Sequence, residues 1–130
     1  MPNYSDRSKA KLQTCDKRLQ DVFEVVIQHF DNTILCGHRP EAEQNEAFDT
    51  GHSKVRWPDG KHNTLPSRAV DATPYPIDWK DRERMTYFAG FVVAIGAMLN
   101  VNIRWGGDWD QDTEVSNNNF DDLVHFELVD

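Results

Sequence analysis

The sequence predicts an α+β domain in which helices flank a small antiparallel sheet. Three observations carry this reading: an N-terminal segment with apolar residues at helical spacing, four short β-prone runs, and one long apolar segment near residue 90. At 130 residues and 15.0 kDa, the chain is long enough to bury a core of its own, and residues 1–130 are expected to form a single domain. It contains no internal repeat, low-complexity tract or evident linker.

Each element follows from its local pattern. Leu12, Cys15, Leu19, Val22, Phe23, Val26, Ile27 and Phe30 recur at steps of three and four, so residues 5–30 read as one amphipathic helix. Residues 33–36 form a short strand that ends at Gly37. Pro40 suits the first position of a second helix over 41–48, which the Asp49-Thr50-Gly51 turn closes. Gly51, Pro58, Gly60 and Pro66 make 51–68 a long loop, and loops of that length in small domains are usually functional or mobile. Residues 69–73 form a second strand, stopped by Pro74 and Pro76. Asp78 can cap a helix over 79–100, whose mostly apolar second half predicts the central buried helix. Residues 101–105 and 124–129 read as the last two strands, with an acidic loop between them.

The charge is strongly asymmetric. After Arg104 there are eight acidic residues and no Lys or Arg, whereas the first 104 residues balance, so the whole excess of −8 lies in the last fifth of the chain. Such a field repels phosphates and gathers cations, which argues against a nucleic-acid groove and favours metal binding nearby. A solvated acidic loop is the plainer alternative. The longest apolar stretch, 87–99, falls short of the roughly 20 residues that span a bilayer. The polar N-terminus lacks the apolar run of a secretory signal, so a cytoplasmic chain is expected. In that setting Cys15 and Cys36 are expected to be buried free thiols.

His62, Asp71 and His125 are the candidate metal ligands. Two imidazoles and one carboxylate suit zinc and leave a fourth position for water, the arrangement of a hydrolytic site rather than a structural one. Pairing of the second and last strands as neighbours would bring the three together.

A family resemblance links these residues. Gly37-His38-Arg39 with Gln44, the stretch from Ser53 to His62, and Pro66-Ser67-Arg68-Ala69-Val70-Asp71-Ala72-Thr73-Pro74-Tyr75-Pro76-Ile77-Asp78-Trp79 are its first part. Arg104-Trp105-Gly106-Gly107-Asp108-Trp109 and Asp122-Leu123-Val124-His125-Phe126-Glu127-Leu128 complete it. Over about residues 33–130 the chain resembles the D-alanyl-D-alanine carboxypeptidase-like zinc peptidases, and within them the phage endolysins that act as L-alanyl-D-glutamate peptidases. The resemblance implies a hedgehog/D,D-peptidase-like fold and a zinc ion held by His62, Asp71 and His125. The spacing from His62 to Asp71 is longer than in many members outside the phage branch, and His52 is the alternative first ligand.

The resemblance also implies that Asp122 is the base acting on water and that Arg39 holds substrate or the developing oxyanion. Strand alternation offers Glu127 as a second base, since it shares a face with His125. Asp122 is preferred, because a residue just before the strand can curl over the metal. For Arg39 a salt bridge with a nearby carboxylate is the structural alternative.

The acidic loop is a candidate second cation site. Asp108, Asp110, Asp112, Glu114 and Ser116 fall on alternate positions as in the first half of a calcium loop. Thr113 stands where such a loop has Gly, and Asn119 where it has a bidentate Glu. Some phage members of the family carry a calcium-responsive loop there, so the resemblance admits regulatory calcium, although a merely solvated loop is preferred.

The function these readings imply is an endolysin that cuts the L-alanyl-D-glutamate bond of peptidoglycan stem peptides. The alternatives are a D,D-carboxypeptidase or dipeptidase acting on D-Ala-D-Ala, and a zinc-stabilised binding module. A monomer is expected, held in the host cytoplasm before lysis and acting afterwards at the periplasm and cell wall.

Overall fold

The computed structural model describes residues 2–116 and 121–130; Asn119 therefore lies outside the described residues. Its elements are α1 (Asp6–Leu12), α2 (Lys17–His29), β1 (Asn32–Cys36), α3 (Glu41–Asp49), a single 3-10 turn (Lys61–Asn63), β2 (Ala69–Pro74), α4 (Arg82–Met98), β3 (Ile103–Gly106) and β4 (Asp122–Leu128). The four strands form one antiparallel sheet in the order β1-β2-β4-β3. This is the α+β class expected, with β2 and β4 as central neighbours.

The N-terminal helix is two helices rather than one. Cys15 leaves the helical path to bridge to Ser67, with Asp16 N–H donating to the Ser67 carbonyl and Ser67 N–H to the Thr14 carbonyl, both at 2.8 Å. Asp16 then caps α2 by accepting from Arg18 N–H at 2.9 Å. The apolar spacing runs through the break because both helices pack on the same core, so periodicity alone could not show it.

Two further expectations are corrected. Asp78 does not cap the long helix; its carboxylate accepts from Lys80 N–H, and Asp81 caps α4 through Arg84 N–H. Nor is α4 central. Met85, Phe88, Ala89, Val92, Ile95 and Gly96 face inward, whereas Tyr87, Gly90, Ala94, Ala97 and Met98 are exposed. The apolar residues extend almost all round this helix, so its sequence does not reveal which face is buried.

The core lies between the sheet and α2 and α4, where the Phe126 ring meets Phe23 and Phe88 edge to face at 5.8 and 5.9 Å. Both cysteines are free, with Cys15 buried as expected but Cys36 only half-buried. Val70 and Ala72 of β2 and Phe126 and Leu128 of β4 enter the core, so the alternate residues of these strands face the other way.

Candidate metal centre and its cavity

Asp71 and His125 lie directly opposite each other in the β2–β4 ladder, so their side chains leave the sheet on the same face. The 3-10 turn brings His62 to them. Its Nε2 lies 3.1 Å from Asp71 Oδ1 and 3.2 Å from His125 Nδ1, and that Nδ1 lies 3.4 Å from the same Asp71 oxygen. One donor atom from each residue falls within 4.8 Å of the others, and all three residues are buried. The trio expected from the sequence is therefore brought together.

The outer atoms of the two rings decide what this cluster can hold. His62 Nδ1 is 2.7 Å from the Gly37 carbonyl, which can only accept, so the proton sits on Nδ1 and the Nε2 lone pair turns inward. His125 Nε2 is 2.8 Å from Glu127 Oε1, a carboxylate, so its Nδ1 lone pair also turns inward. Two lone pairs 3.2 Å apart beside a carboxylate repel one another unless a cation lies between them. A divalent metal fits this donor set.

Without a metal, a proton takes the place of that cation and is drawn to His62. Burial disfavours charge on His62, but Asp71 beside it pushes the imidazole up to about 10. Burial likewise opposes ionisation of Asp71, yet His62 and His125 hold its carboxyl well below the usual range. Burial also works against a charged His125, and hydrogen bonds to Asp71 and Glu127 raise it.

Glu127 does more than share a face with His125. It is buried and also meets Arg104 Nη2 at 2.8 Å and Lys61 Nζ at 3.1 Å. Burial raises its carboxyl, but His125 and Arg104 outweigh that and hold it at about 2. Its carboxylate is thus engaged by His125, Arg104 and Lys61 at the edge of the cavity. Sequence reasoning placed Arg104 in the family motif and Lys61 in the stretch from Ser53 to His62 but gave neither a role, since nothing local marks a surface-type cation as the partner of a buried glutamate. Trp109, stacked at a 33° tilt with its ring centroid 5.5 Å from that of His125, was visible only as part of the family motif.

Asp122 is the first residue of β4 rather than a residue before it, and it pairs with Gly106 where the β3–β4 register shifts. A Cβ at position 106 would collide with the Asp122 carbonyl, so glycine permits the close approach that aims this carboxylate. Burial and then the nearby Asp71 raise its carboxyl, with His125, His62 and Arg39 partly offsetting them. A raised carboxyl in a cavity suits proton transfer.

Arg39 lies in the turn after β1, where its N–H donates to the His62 carbonyl at 2.7 Å. Its Nη2 donates to Asp71 Oδ2 at 3.1 Å, which leaves Oδ1 for the cluster. The structural alternative, a salt bridge, is thus present, and its partner is a candidate ligand. A cavity of about 580 Å³ opens over the cluster, lined by Arg39, His62, Asp122 and His125 and walled by residues 52–55 and Trp109. His52 lines this cavity outside the trio, with Nδ1 2.8 Å from Thr50 Oγ1.

In the acidic loop, carboxylates of Asp108, Asp110 and Asp112 come within 4.8 Å of one another, and Glu114 is not part of the group. Their oxygens accept from backbone N–H groups of the same loop: Asp110 from Asp112, Asp108 from Thr113, and Asp112 from Glu114. Thr113, at the glycine position of a calcium loop, takes a left-handed φ of 69°. Burial, with Asp112 and Asp110 alongside, raises the Asp108 carboxyl.

Comparison with known proteins gives one family. Residues 2–129 match the family model described as phage L-alanyl-D-glutamate peptidase. No curated protein matches significantly. Among solved structures, the L-Ala D-Glu endopeptidase ChiX of Serratia marcescens is similar with a TM-score of 0.74 and 21% identity, over 98% of this chain and 90% of that one. The chain belongs to the phage L-alanyl-D-glutamate peptidases, endolysins that cleave this bond in peptidoglycan.

Proposed function

We propose that this endolysin is a zinc-dependent endopeptidase in which His62, Asp71 and His125 hold the metal and Asp122 and Arg39 carry out the chemistry around it. The observation that supports it most is the pair of inward imidazole lone pairs beside the Asp71 carboxylate. When bound there, zinc would supply Lewis-acid activation of water and polarisation of the scissile carbonyl.

The remaining steps belong to the chain. Asp122, raised by burial, accepts the proton of the attacking water and then delivers it to the amine that leaves as the L-alanyl-D-glutamate bond breaks. The Arg39 guanidinium faces the charge that grows on the carbonyl oxygen, while its bond to Asp71 keeps it beside the metal position. Gly37 and Glu127 hold the two imidazoles in the tautomers that ligation requires. The domain described here carries the chemistry, and the protein works as a monomer on the peptidoglycan of the wall. No helix among the described residues is long and apolar enough to cross a membrane.

Digestion of purified peptidoglycan, read by mass spectrometry together with metal analysis of the protein, tests this reading. New N-terminal glutamate and about one zinc per chain are expected. Released D-alanine would move the assignment to a carboxypeptidase, and an absence of product to a binding module.

A second cation, calcium, is proposed for the loop on the strength of the three converging carboxylates and the left-handed Thr113. Trp109 and Asp110 of this loop line the active-site cavity, so ordering the loop would shape the site. Titration calorimetry should show calcium binding, and a calcium-selective chelator should lower activity; no heat and no change would remove the proposal.

A further inference from the structure

Gln44 is the one polar residue of α3 that is fully buried, with 1% of its surface exposed. It does not belong to the apolar core. Its side-chain amide instead makes four hydrogen bonds, the full capacity of the group. Nε2 donates to the Val55 carbonyl at 2.7 Å and to Ser53 Oγ at 2.9 Å. Oε1 accepts from Asn63 Nδ2 at 3.1 Å and from Arg39 Nη1 at 3.2 Å. The partners settle which way the amide points: a carbonyl can only accept and a guanidinium can only donate, so nitrogen must face Val55 and oxygen must face Arg39.

These four bonds join separate parts of the site. Ser53 and Val55 belong to the cavity wall. Asn63 follows the candidate ligand His62 and also donates to the Arg39 carbonyl at 3.0 Å. Arg39 is gripped from two sides, by Gln44 at Nη1 and by Asp71 at Nη2. The outer fastenings of the same wall, Arg56 to Asp49 and Trp57 N–H to Asn45, are exposed. Exposed contacts of this kind constrain little.

We infer that Gln44 is a positioning residue for the reaction, which sets the Arg39 guanidinium and the Ser53–Val55 wall in one register through the two ends of a single amide. This deepens the reading of Arg39 given above and rests on it. The chemistry requires an amide. A glutamate at 44 would still accept from Arg39 but would turn an oxygen toward the Val55 carbonyl. A methionine of similar length would serve neither side.

Steady-state kinetics on a stem peptide, with metal content measured in parallel, separate the two functions. Gln44→Glu should raise KM roughly tenfold through the wall while kcat stays within about threefold, and Gln44→Met should also lower kcat by roughly tenfold or more. Zinc stoichiometry should be unchanged in both. Adding Arg39→Ala to Gln44→Met should cost less than Arg39→Ala costs in the native chain, because the guanidinium is already misplaced. Native kcat and KM in Gln44→Met, or simple multiplication of the two effects, would overturn the inference. Should Gln44→Met fail to fold, Gln44→Glu with an unchanged KM overturns it alone. If Arg39→Ala by itself leaves kcat intact, the fault lies in the role given to Arg39.

Discussion

The two candidate cation clusters of this protein are built on opposite plans. The His62-Asp71-His125 centre rests on paired central strands, is buried, and has each outer ring atom bonded to a partner from another segment or strand position. The Asp108-Asp110-Asp112 cluster rests on a turn, two of its three members are exposed, and its oxygens bond to N–H groups of the same turn. The first is organised by tertiary structure and the second by local backbone. Preorganised nitrogen and carboxylate donors suit a tightly held transition-type metal, whereas a pliable oxygen loop suits a hard cation bound and released.

Substitutions put this contrast to the test. The largest effect is expected for His125→Ala, which should abolish activity and reduce bound zinc to a trace by elemental analysis; zinc retained near one per chain would remove His125 from the ligand set. Asp122→Asn should lower kcat/KM by on the order of 10²–10⁴ while zinc stays bound, since it removes the proton carrier and leaves the donors alone. Loss of zinc in that variant would instead make Asp122 a ligand.

Glu127→Gln probes the outer partners of the buried centre. It should weaken zinc binding by about 10- to 100-fold in competition with a chelator, with a smaller loss of saturated activity. It also has a pH signature in the metal-free protein. The Glu127 carboxyl is depressed to about 2, so its contribution to stability is present above the ordinary glutamate value near 4.5 and is lost as pH falls toward about 2. The difference in urea unfolding between the native protein and the Glu127→Gln variant should therefore shrink across that window; a constant difference down to pH 2 would show that the charge is not what Glu127 contributes.

The smallest effect on the buried centre is expected from the loop. Asp110→Asn should leave zinc stoichiometry unchanged and weaken calcium binding by about tenfold or more in calorimetry. A fall in zinc content would show that the two clusters are one coupled site.

Much of the fold was legible because its signals are local. The alternation in β2 and β4 separates Val70, Ala72, Phe126 and Leu128 from Asp71 and His125, and that alternation reads directly from the sequence. The break at Cys15 was not legible, because its cause is a bond to Ser67 more than fifty residues away. The outer face of α4 was hidden for a different reason: small apolar residues are present whether or not a partner covers them. Among site residues, the pairing of Lys61 and Arg104 with Glu127 was not legible until Glu127 was seen to be buried between them.

Residue type and order were enough for the class of fold, the three candidate ligands brought together here, and the concentration of negative charge beyond Arg104. Side-chain chemistry and strand periodicity are written residue by residue, so they need no long-range information. Which atoms of those side chains face the metal position was settled only in the folded chain, because tautomer and orientation depend on Gly37 and Glu127. The folded chain also settled that Asp122 can approach at Gly106 and that Gln44 ties the cavity wall to Arg39. These are properties of contacts between distant residues, which exist only once the strands have paired and the loop has closed.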